Sequence, residues 1–330
     1  MTFDKSFKER LNVVQIECND ALKVIKEKNI DFVIATSTPL TIGFPALVLK
    51  KFKKIPYLFE VRDLWPEVPI QMGGLKNKTL IKMAKWFDAK VVARADWNDH
   101  LFSLRFACDD YPPYKAGQFT KVGIEQGDKV LSRPYSLVSA PGDNVVEIVA
   151  VPVEGGLLSP QLHKMQIGDS LKIMAPATGF LVLDEVPKSR DLWLMATGTG
   201  VGPFLSILAT EQVWETYENV VLVYGARFEH DLAYTKLIEA CAAKHPDNFH
   251  FVPVVSRETL VNGLHGRIPT LLKTQSIQHL VGLDIHPDNS QVMLCGNPAM
   301  IEDATQTLIE LGLSKHLRRS PGHISLERYW

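Results

Sequence analysis

The segment RPYS, residues 133–136, combines side chains that can hold a nucleotide cofactor. If this segment is a strand, Arg133 and Tyr135 share one face, because successive strand residues point to opposite sides. The arginine can bind a diphosphate with its planar guanidinium group, and the tyrosine ring can stack on a flat heterocycle. Ser136 can hydrogen-bond a ring nitrogen. Further on, GGLLSP (155–160) places two glycines before a helix start, where free backbone N–H groups favour an anion.

A second set of basic side chains follows predicted parallel strands. GTGVGP (198–203) is a glycine-rich turn between a strand and a helix, with Pro203 where a dinucleotide-binding turn has its third glycine. The next strand ends in Arg227, where NAD-binding folds usually carry an acid for the ribose. Arg257 ends a later strand, and Arg267 follows it in GRIP. Three arginines at one sheet edge suit a 2′-phosphate, which predicts NADP rather than NAD.

Two further features lie near the carboxyl ends of predicted strands. Cys295 ends the strand in QVMLCGNPAM, at the edge where open parallel sheets bind ligands. A buried cysteine usually behaves as a small apolar residue, so we interpret Cys295 as a wall beside the cofactor and not as a nucleophile. The chain ends in ERYW, and we expect the rings of Tyr329 and Trp330 to pack on another surface.

The elements that position these residues change character along the chain. Residues 1–87 follow a strand–helix–strand–helix–strand order, which predicts a fragment of a parallel α/β sheet. Residues 88–187 contain short alternating runs separated by Gly, Pro and Asp turns, which indicate a small antiparallel β-barrel. Residues 188–330 repeat strand–turn–helix units, which indicate an α/β domain with a parallel sheet. The sequence therefore predicts a multidomain protein with the chemistry on the barrel and the second sheet.

Composition and charge exclude several classes of protein. The 330 residues are 46% hydrophobic and 22% charged, as in ordinary globular proteins. A net charge of −1 favours neither nucleic acid nor a membrane as partner, and the apolar stretch at 39–49 is too short to cross a bilayer. The cysteines lack the spacing of a metal site, an iron–sulfur cluster or a disulfide framework, so we expect no metal and a cytoplasmic location. They are Cys18, Cys108, Cys241 and Cys295.

The motifs together resemble one known family. RPYS, GTGVGP, VYGAR, VVSRE, CGNPAM, KHLRRSPGH and the final ERYW have the order and spacing of bacterial ferredoxin/flavodoxin–NADP+ reductases. The resemblance spans about residues 88–330, a nearly complete reductase. It implies an enzyme that binds FAD and NADP(H), passes a hydride between NADPH and the flavin, and exchanges single electrons with a ferredoxin or flavodoxin.

The resemblance also implies roles for individual residues. We expect FAD to be bound by Arg133, Pro134, Tyr135, Ser136, Val149, Leu157, Leu158, Ser159, Thr199, Tyr329 and Trp330. We expect NADP to be bound by Ala226, Arg227, Ser256, Arg257, Arg267, Asn297, Pro298, Ala299 and Asp303. The catalytic residues that we predict are Tyr135, Ser136 and Cys295. Relatives often have lysine where Leu157 stands, so its phosphate contact must rest on the backbone. Because ferredoxins and flavodoxins are acidic, we expect them at a basic patch of Lys315, Arg318, Arg319 and Arg328.

The N-terminal piece resembles a different family. The run that ends in RDLWPEVP is similar to the N-terminal half of glycosyltransferases with two facing Rossmann-like domains. That family's first glycine-rich loop and its nucleotide-sugar domain are missing, so we expect no sugar transfer. We favour an accidental fusion in which residues 1–87 have no role.

Two alternatives remain open for the function of the chain. One is an inactive glycosyltransferase-derived binding module with a non-functional redox tail, and the other is an NADH-dependent reductase component of an oxygenase.

Overall fold

The chain forms two compact units, Met1–Ala84 and Lys85–Trp330. The computed structural model describes residues 33–36, 57–60, 85–127, 129–143, 145–317 and 320–328. In the first unit β1 (Val33–Thr36) pairs in parallel with β2 (Tyr57–Glu60). Both strands lie within runs that the sequence predicts as strands of a parallel sheet. The predicted strand at 12–17 lies outside the described residues.

Six strands of the second unit form an antiparallel sheet in the order β6-β5-β8-β3-β4-β7. They are β3 (Lys85–Asp96), β4 (Phe102–Ala107), β5 (Phe119–Gln126), β6 (Lys129–Ser136), β7 (Val145–Ala150) and β8 (Ser170–Ala175). The short helix α1 (Ser159–Lys164) lies between β7 and β8. The Val138 N–H donates to the Glu147 carbonyl oxygen at 2.9 Å, which links the two ends of the strand order. The predicted antiparallel barrel is confirmed.

The barrel is held together by side chains that alternate along its strands. On β4, Phe102, Leu104 and Phe106 are fully buried and point to the interior. The same core includes Ile148 of β7 and Ile173 of β8. The first strand begins at Lys85, because residues 85–87 continue the antiparallel pairing with residues 173–175 of β8. The barrel strand therefore starts three residues before the boundary expected from the sequence.

The rest of the unit is built on a parallel sheet in the order β12-β11-β10-β9-β13-β14. Its strands are β9 (Asp191–Thr197), β10 (Asn219–Ala226), β11 (Phe249–Val255), β12 (Leu264–His265), β13 (Ser290–Gly296) and β14 (Ile324–Arg328). The apolar run of β9 is buried on both sides, as parallel sheets require. Leu192 and Leu194 join one core cluster, and Trp193 and Met195 join the other. The predicted α/β domain is confirmed.

Helices and short 3-10 turns cover this sheet. The helices are α2 (Gly202–Leu208), α3 (Glu211–Thr216), α4 (Thr235–Lys244), α5 (Ile268–Lys273), α6 (Ser276–Val281) and α7 (Pro298–Glu310). The 3-10 turns span Leu183–Glu185, Gly198–Val201 and Glu229–Asp231. Within the described part of the chain, every helix is too short or too polar to cross a membrane.

Candidate active site

The segment RPYS occupies the end of β6, at one end of the barrel's strand order. Arg133 and Pro134 are exposed, Tyr135 is half-buried and Ser136 is buried. A proline fits here because an edge strand leaves one side of its backbone without a strand partner. Burial raises the pKa of Tyr135 to about 12, so its hydroxyl stays neutral at physiological pH. The segment thus presents a basic side chain and a neutral aromatic ring at the barrel edge.

The loop before α1 is closed by its own residues. The Ser159 hydroxyl oxygen accepts from the Val153 N–H at 2.9 Å, and the Gly156 N–H donates to the Val153 carbonyl at 2.9 Å. A Cβ at Gly156 would lie 2.9 Å from that carbonyl oxygen, so the turn requires glycine. Leu158 is 2% exposed and fills the barrel core, whereas Leu157 is 66% exposed. These leucines can therefore bind a phosphate only through their backbone N–H groups.

The glycine-rich turn lies at the carboxyl end of β9 and packs directly on the end of β13. A Cβ at Gly200 would lie 2.5 Å from the Cys295 carbonyl oxygen. The Thr197 Oγ1 accepts from the Asn297 N–H at 2.9 Å. Gly198 has a positive φ of 54°, and no atom lies within 4 Å of the Cβ position there. The two strand ends therefore form one tight floor with open space above Gly198.

The same turn abuts the barrel. A Cβ at Gly202 would lie 3.3 Å from a Val138 methyl group and 3.5 Å from a Val149 methyl group. The Ser206 hydroxyl of α2 donates to the Ser139 carbonyl at 2.7 Å. These contacts place the glycine-rich turn beside the end of β6, so the two predicted cofactor sites share a border. Thr199, in the turn, is half-buried, and Val149 is buried.

A carboxyl group at this border was missed by the sequence reasoning. The Ser136 hydroxyl donates to Glu327 Oε1 at 3.3 Å, across the barrel and β14. Burial raises the pKa of Glu327 to about 7, although the bond from Ser136 acts in the opposite direction. Glu327 lies opposite Cys295 in the pairing of β14 with β13. The one available signal was its place next to the terminal aromatic residues. With its pKa raised to about 7, the Glu327 carboxyl can hold or release a proton near neutral pH.

Cys295 itself is fully buried in the core cluster that covers one face of the parallel sheet. The position of Cys295 as a wall beside the cofactor and a direct role of its thiol in the reaction both stay predictions.

The backbones of two strand ends bring a pair of arginines together. Past β10 and β11, the Ser256 N–H donates to the Ala226 carbonyl at 3.2 Å and the Arg257 N–H to the Arg227 carbonyl at 3.0 Å. Arg267 immediately precedes α5. All three arginines are exposed, and within the described residues none of them pairs with a carboxylate. Such uncompensated guanidinium groups suit a phosphate.

The start of α7 borders the same sheet edge. The Asn297 side-chain oxygen accepts from the Ala299 N–H at 2.9 Å and from the Met300 N–H at 3.3 Å, so it caps the helix. Pro298 stands in the first turn, where it needs no hydrogen-bond partner. Asn297, Ala299 and Asp303 are exposed. Lys315 and Arg328 of the predicted basic patch are also exposed, whereas Arg318, Arg319, Tyr329 and Trp330 lie outside the described residues.

The raised pKa of Glu327 predicts a pH-dependent effect on stability. The ordinary value of 4.5 applies to the unfolded chain, so ionisation favours unfolding as the pH rises from 4.5 through about 7. Glu327→Gln removes this destabilising effect of ionisation. It is expected to raise Tm relative to the parent protein near pH 8 but not near pH 4.5. The gain in the free energy of unfolding near pH 8 is about 3 kcal/mol at most. Thermal unfolding at both pH values, with the exposed Glu310→Gln as control, checks it. An equal change at both pH values would contradict the assignment.

Comparisons with known proteins match the two domains described above. A model of the oxidoreductase FAD-binding domain matches residues 89–181, and a model of the oxidoreductase NAD-binding domain matches residues 194–306. The flavodoxin/ferredoxin–NADP reductase of Escherichia coli (strain K12) is 42% identical over 249 residues, which cover 75% of this chain and 100% of the relative. The ferredoxin–NADP reductase of Pseudomonas aeruginosa is 31% identical over 74% of this chain and 98% of its own.

A solved structure shows the same fold with cofactors bound. The ferredoxin NADP+ reductase from Neisseria gonorrhoeae with bound FAD and NADP has a TM-score of 0.71 and is 34% identical. The match covers 74% of this chain and 98% of that one.

Proposed function

The chain belongs to the family of flavodoxin/ferredoxin–NADP reductases, and we propose how its residues carry electrons between NADPH and a ferredoxin or flavodoxin. It is an FAD-dependent oxidoreductase with a barrel for FAD and a parallel sheet for NADP. One observation carries the proposal for the site. The glycine-rich turn of the parallel sheet packs against Val138 and Val149 at the end of the RPYS strand, so two nucleotide cofactors held there meet at one border.

The FAD side is supplied by the barrel edge. When bound, FAD takes up a hydride and releases its two electrons one at a time. Arg133 binds the diphosphate, Tyr135 stacks on the flavin ring, and Ser136 hydrogen-bonds a ring nitrogen. Pro134 continues the strand, Val149 and Thr199 line the ring, and Tyr329 and Trp330 cover the cofactor. The loop of Leu157, Leu158 and Ser159 offers backbone to the phosphates.

The NADP side is supplied by the carboxyl edge of the parallel sheet. Arg227, Arg257 and Arg267 hold the 2′-phosphate, and the strand ends at Ala226 and Ser256 support them. The nicotinamide half is bordered by Asn297, Pro298, Ala299, Asp303 and Cys295. The three uncompensated arginines argue against the alternative of an NADH-dependent oxygenase component.

Two side chains at the border can also transfer a proton to or from a bound flavin ring. Glu327 and Ser136 lie 3.3 Å apart at the border of the two sites, and the pKa of Glu327 is raised to about 7. The Ser136 hydroxyl can therefore pass a proton between the carboxyl group and a bound ring. Gly200 packs tightly on the Cys295 carbonyl beneath that border.

The redox partner docks, in this proposal, on the basic patch of Lys315, Arg318, Arg319 and Arg328. The exposure of Lys315 and Arg328 supports this, as does the acidity of ferredoxins and flavodoxins. Electrostatic steering raises the association rate and is screened by salt, so reduction of the partner should slow as ionic strength increases. Cytoplasmic location stays a prediction.

Removing the N-terminal unit tests both the function and its location in the chain. A protein of residues 85–330 is expected to retain FAD and to reduce flavodoxin or ferredoxin with NADPH at the rate of the full chain, within about twofold, because the contacts of the site lie in this unit. The cut falls before Lys85, since residues 85–87 pair with β8. Loss of FAD or of partner reduction in the shortened chain would contradict the proposal.

A further inference from the structure

The barrel and the parallel-sheet domain are joined by polar contacts away from the glycine-rich turn. The Asn98 amide donates to Asp231 Oδ1 at 3.0 Å and to the His230 carbonyl at 3.1 Å. The His100 imidazole lies 3.3 Å from the same Asp231 oxygen. On the barrel side, the Asn98 side-chain oxygen accepts from the backbone N–H groups of His100 and Leu101, so this amide is fixed at both ends.

Tyr234 makes the most buried of these contacts. Its hydroxyl donates to Glu147 Oε1 on β7 at 2.6 Å, and its ring centre lies 4.4 Å from that of Trp97. Tyr234 is 5% exposed. The Glu147 carboxyl also pairs with Arg105 at 3.5 Å. We call Trp97, Asn98, Glu147, Asp231 and Tyr234 the domain clamp.

The clamp holds a loop that begins at the NADP site. This loop runs from Arg227, directly after β10, through the 3-10 turn Glu229–Asp231 to Tyr234 at the start of α4. Tyr234 has a positive φ of 62°, a region that favours glycine. The backbone is therefore locally strained at the residue whose ring contacts the barrel. The segment that carries Arg227 is therefore fastened to the barrel within seven residues of that arginine.

We propose that Tyr234 is a positioning residue, which sets the orientation of the parallel-sheet domain on the barrel and so the approach of the nicotinamide to the flavin. The inference rests on the proposed function. The 2′-phosphate end of the cofactor needs only the arginines of one domain, whereas flavin reduction needs both domains in register. A small displacement far from the reacting atoms can slow a reaction by about 100-fold. Loosening the clamp should therefore slow flavin reduction without weakening the adenosine end.

The test compares Tyr234→Phe with Tyr217→Phe, a second buried tyrosine of the same domain that lies at the end of α3. In anaerobic stopped-flow experiments, Tyr234→Phe should slow flavin reduction by NADPH about tenfold. Its affinity for 2′,5′-ADP should stay within about twofold, since that ligand lacks the nicotinamide half. Hydrogen–deuterium exchange should become faster in residues 228–234. Tyr217→Phe should match the parent protein in all three measurements.

Glu147 supplies a rescue experiment. Glu147→Gln keeps a side-chain oxygen that accepts from Tyr234 and should retain most of the rate, whereas Glu147→Ala should resemble Tyr234→Phe. An unchanged rate in Tyr234→Phe, or an equal loss of 2′,5′-ADP affinity, would overturn the positioning role. A parent protein whose flavin is not reduced by NADPH would overturn the proposed function as well.

Discussion

Replacing Arg227 with alanine is expected to raise the KM for NADPH by about 10- to 100-fold, because one charge-assisted hydrogen bond to the 2′-phosphate contributes about 1.5–3 kcal/mol. The KM for NADH should change by less than about twofold, since NADH has no phosphate for the guanidinium group to bind. Steady-state kinetics with both nucleotides measure the two effects. The Arg227 side chain is exposed, so its loss should leave the fold intact.

A matched control for Arg227 lies in the same domain. Lys273 is an exposed cation in the last turn of α5, and Lys273→Ala removes one positive charge without touching the edge where the arginines meet. It should leave the KM for both nucleotides near the parent values. Equal effects of Arg227→Ala on NADPH and NADH would refute the 2′-phosphate role of Arg227.

Gly200→Ala is expected to damage the site although it adds a single methyl group. The added Cβ would lie 2.5 Å from the Cys295 carbonyl oxygen and 2.7 Å from the Gly296 Cα, both of them backbone atoms that cannot rotate away. Forcing a methyl group into a packed interior costs about 1–3 kcal/mol. The glycine-rich turn must then shift from the end of β13, which should lower the rate of flavin reduction by at least about tenfold.

Gly202→Ala is the control for this change. Gly202 has a helical φ of −48°, and the nearest atoms to its Cβ would be side-chain carbons, the closest at 3.3 Å. The Gly202→Ala protein should lose less than about 1 kcal/mol of unfolding free energy, because those side chains can adjust. Thermal unfolding and stopped-flow flavin reduction compare the two variants. A Gly200→Ala protein as stable and as fast as Gly202→Ala would show that the turn is not held by Cys295.

The parts of the site that were predictable are those encoded by short segments. The apolar run of β9, the glycines after it and the arginine that follows β10 are neighbours in sequence and stay neighbours in the structure. The short alternating runs of residues 88–187 likewise predicted barrel strands such as β4, because strand geometry alone sets that periodicity. Local backbone geometry decides such features.

The parts that were missed depend on contacts between distant segments. Glu327 gains its raised pKa from burial beside Ser136, which is 191 residues away in the chain. The start of β3 at Lys85 depends on pairing with β8, and the domain clamp joins Glu147 to Tyr234 across 87 residues. Pairing of this kind follows from the order of strands in the sheet, which a sequence motif does not specify.

The most direct test of the NADPH-dependent reductase function is a visible absorbance spectrum of the purified full chain, recorded without oxygen before and after addition of NADPH. We expect the bands of oxidised FAD, which NADPH bleaches at low concentration and NADH bleaches only at much higher concentration. This result would show that the chain binds FAD and accepts hydride preferentially from NADPH. A colourless protein that does not take up added FAD would contradict the assignment of the FAD site, and a flavin that NADPH and NADH reduce equally well would contradict the NADP site.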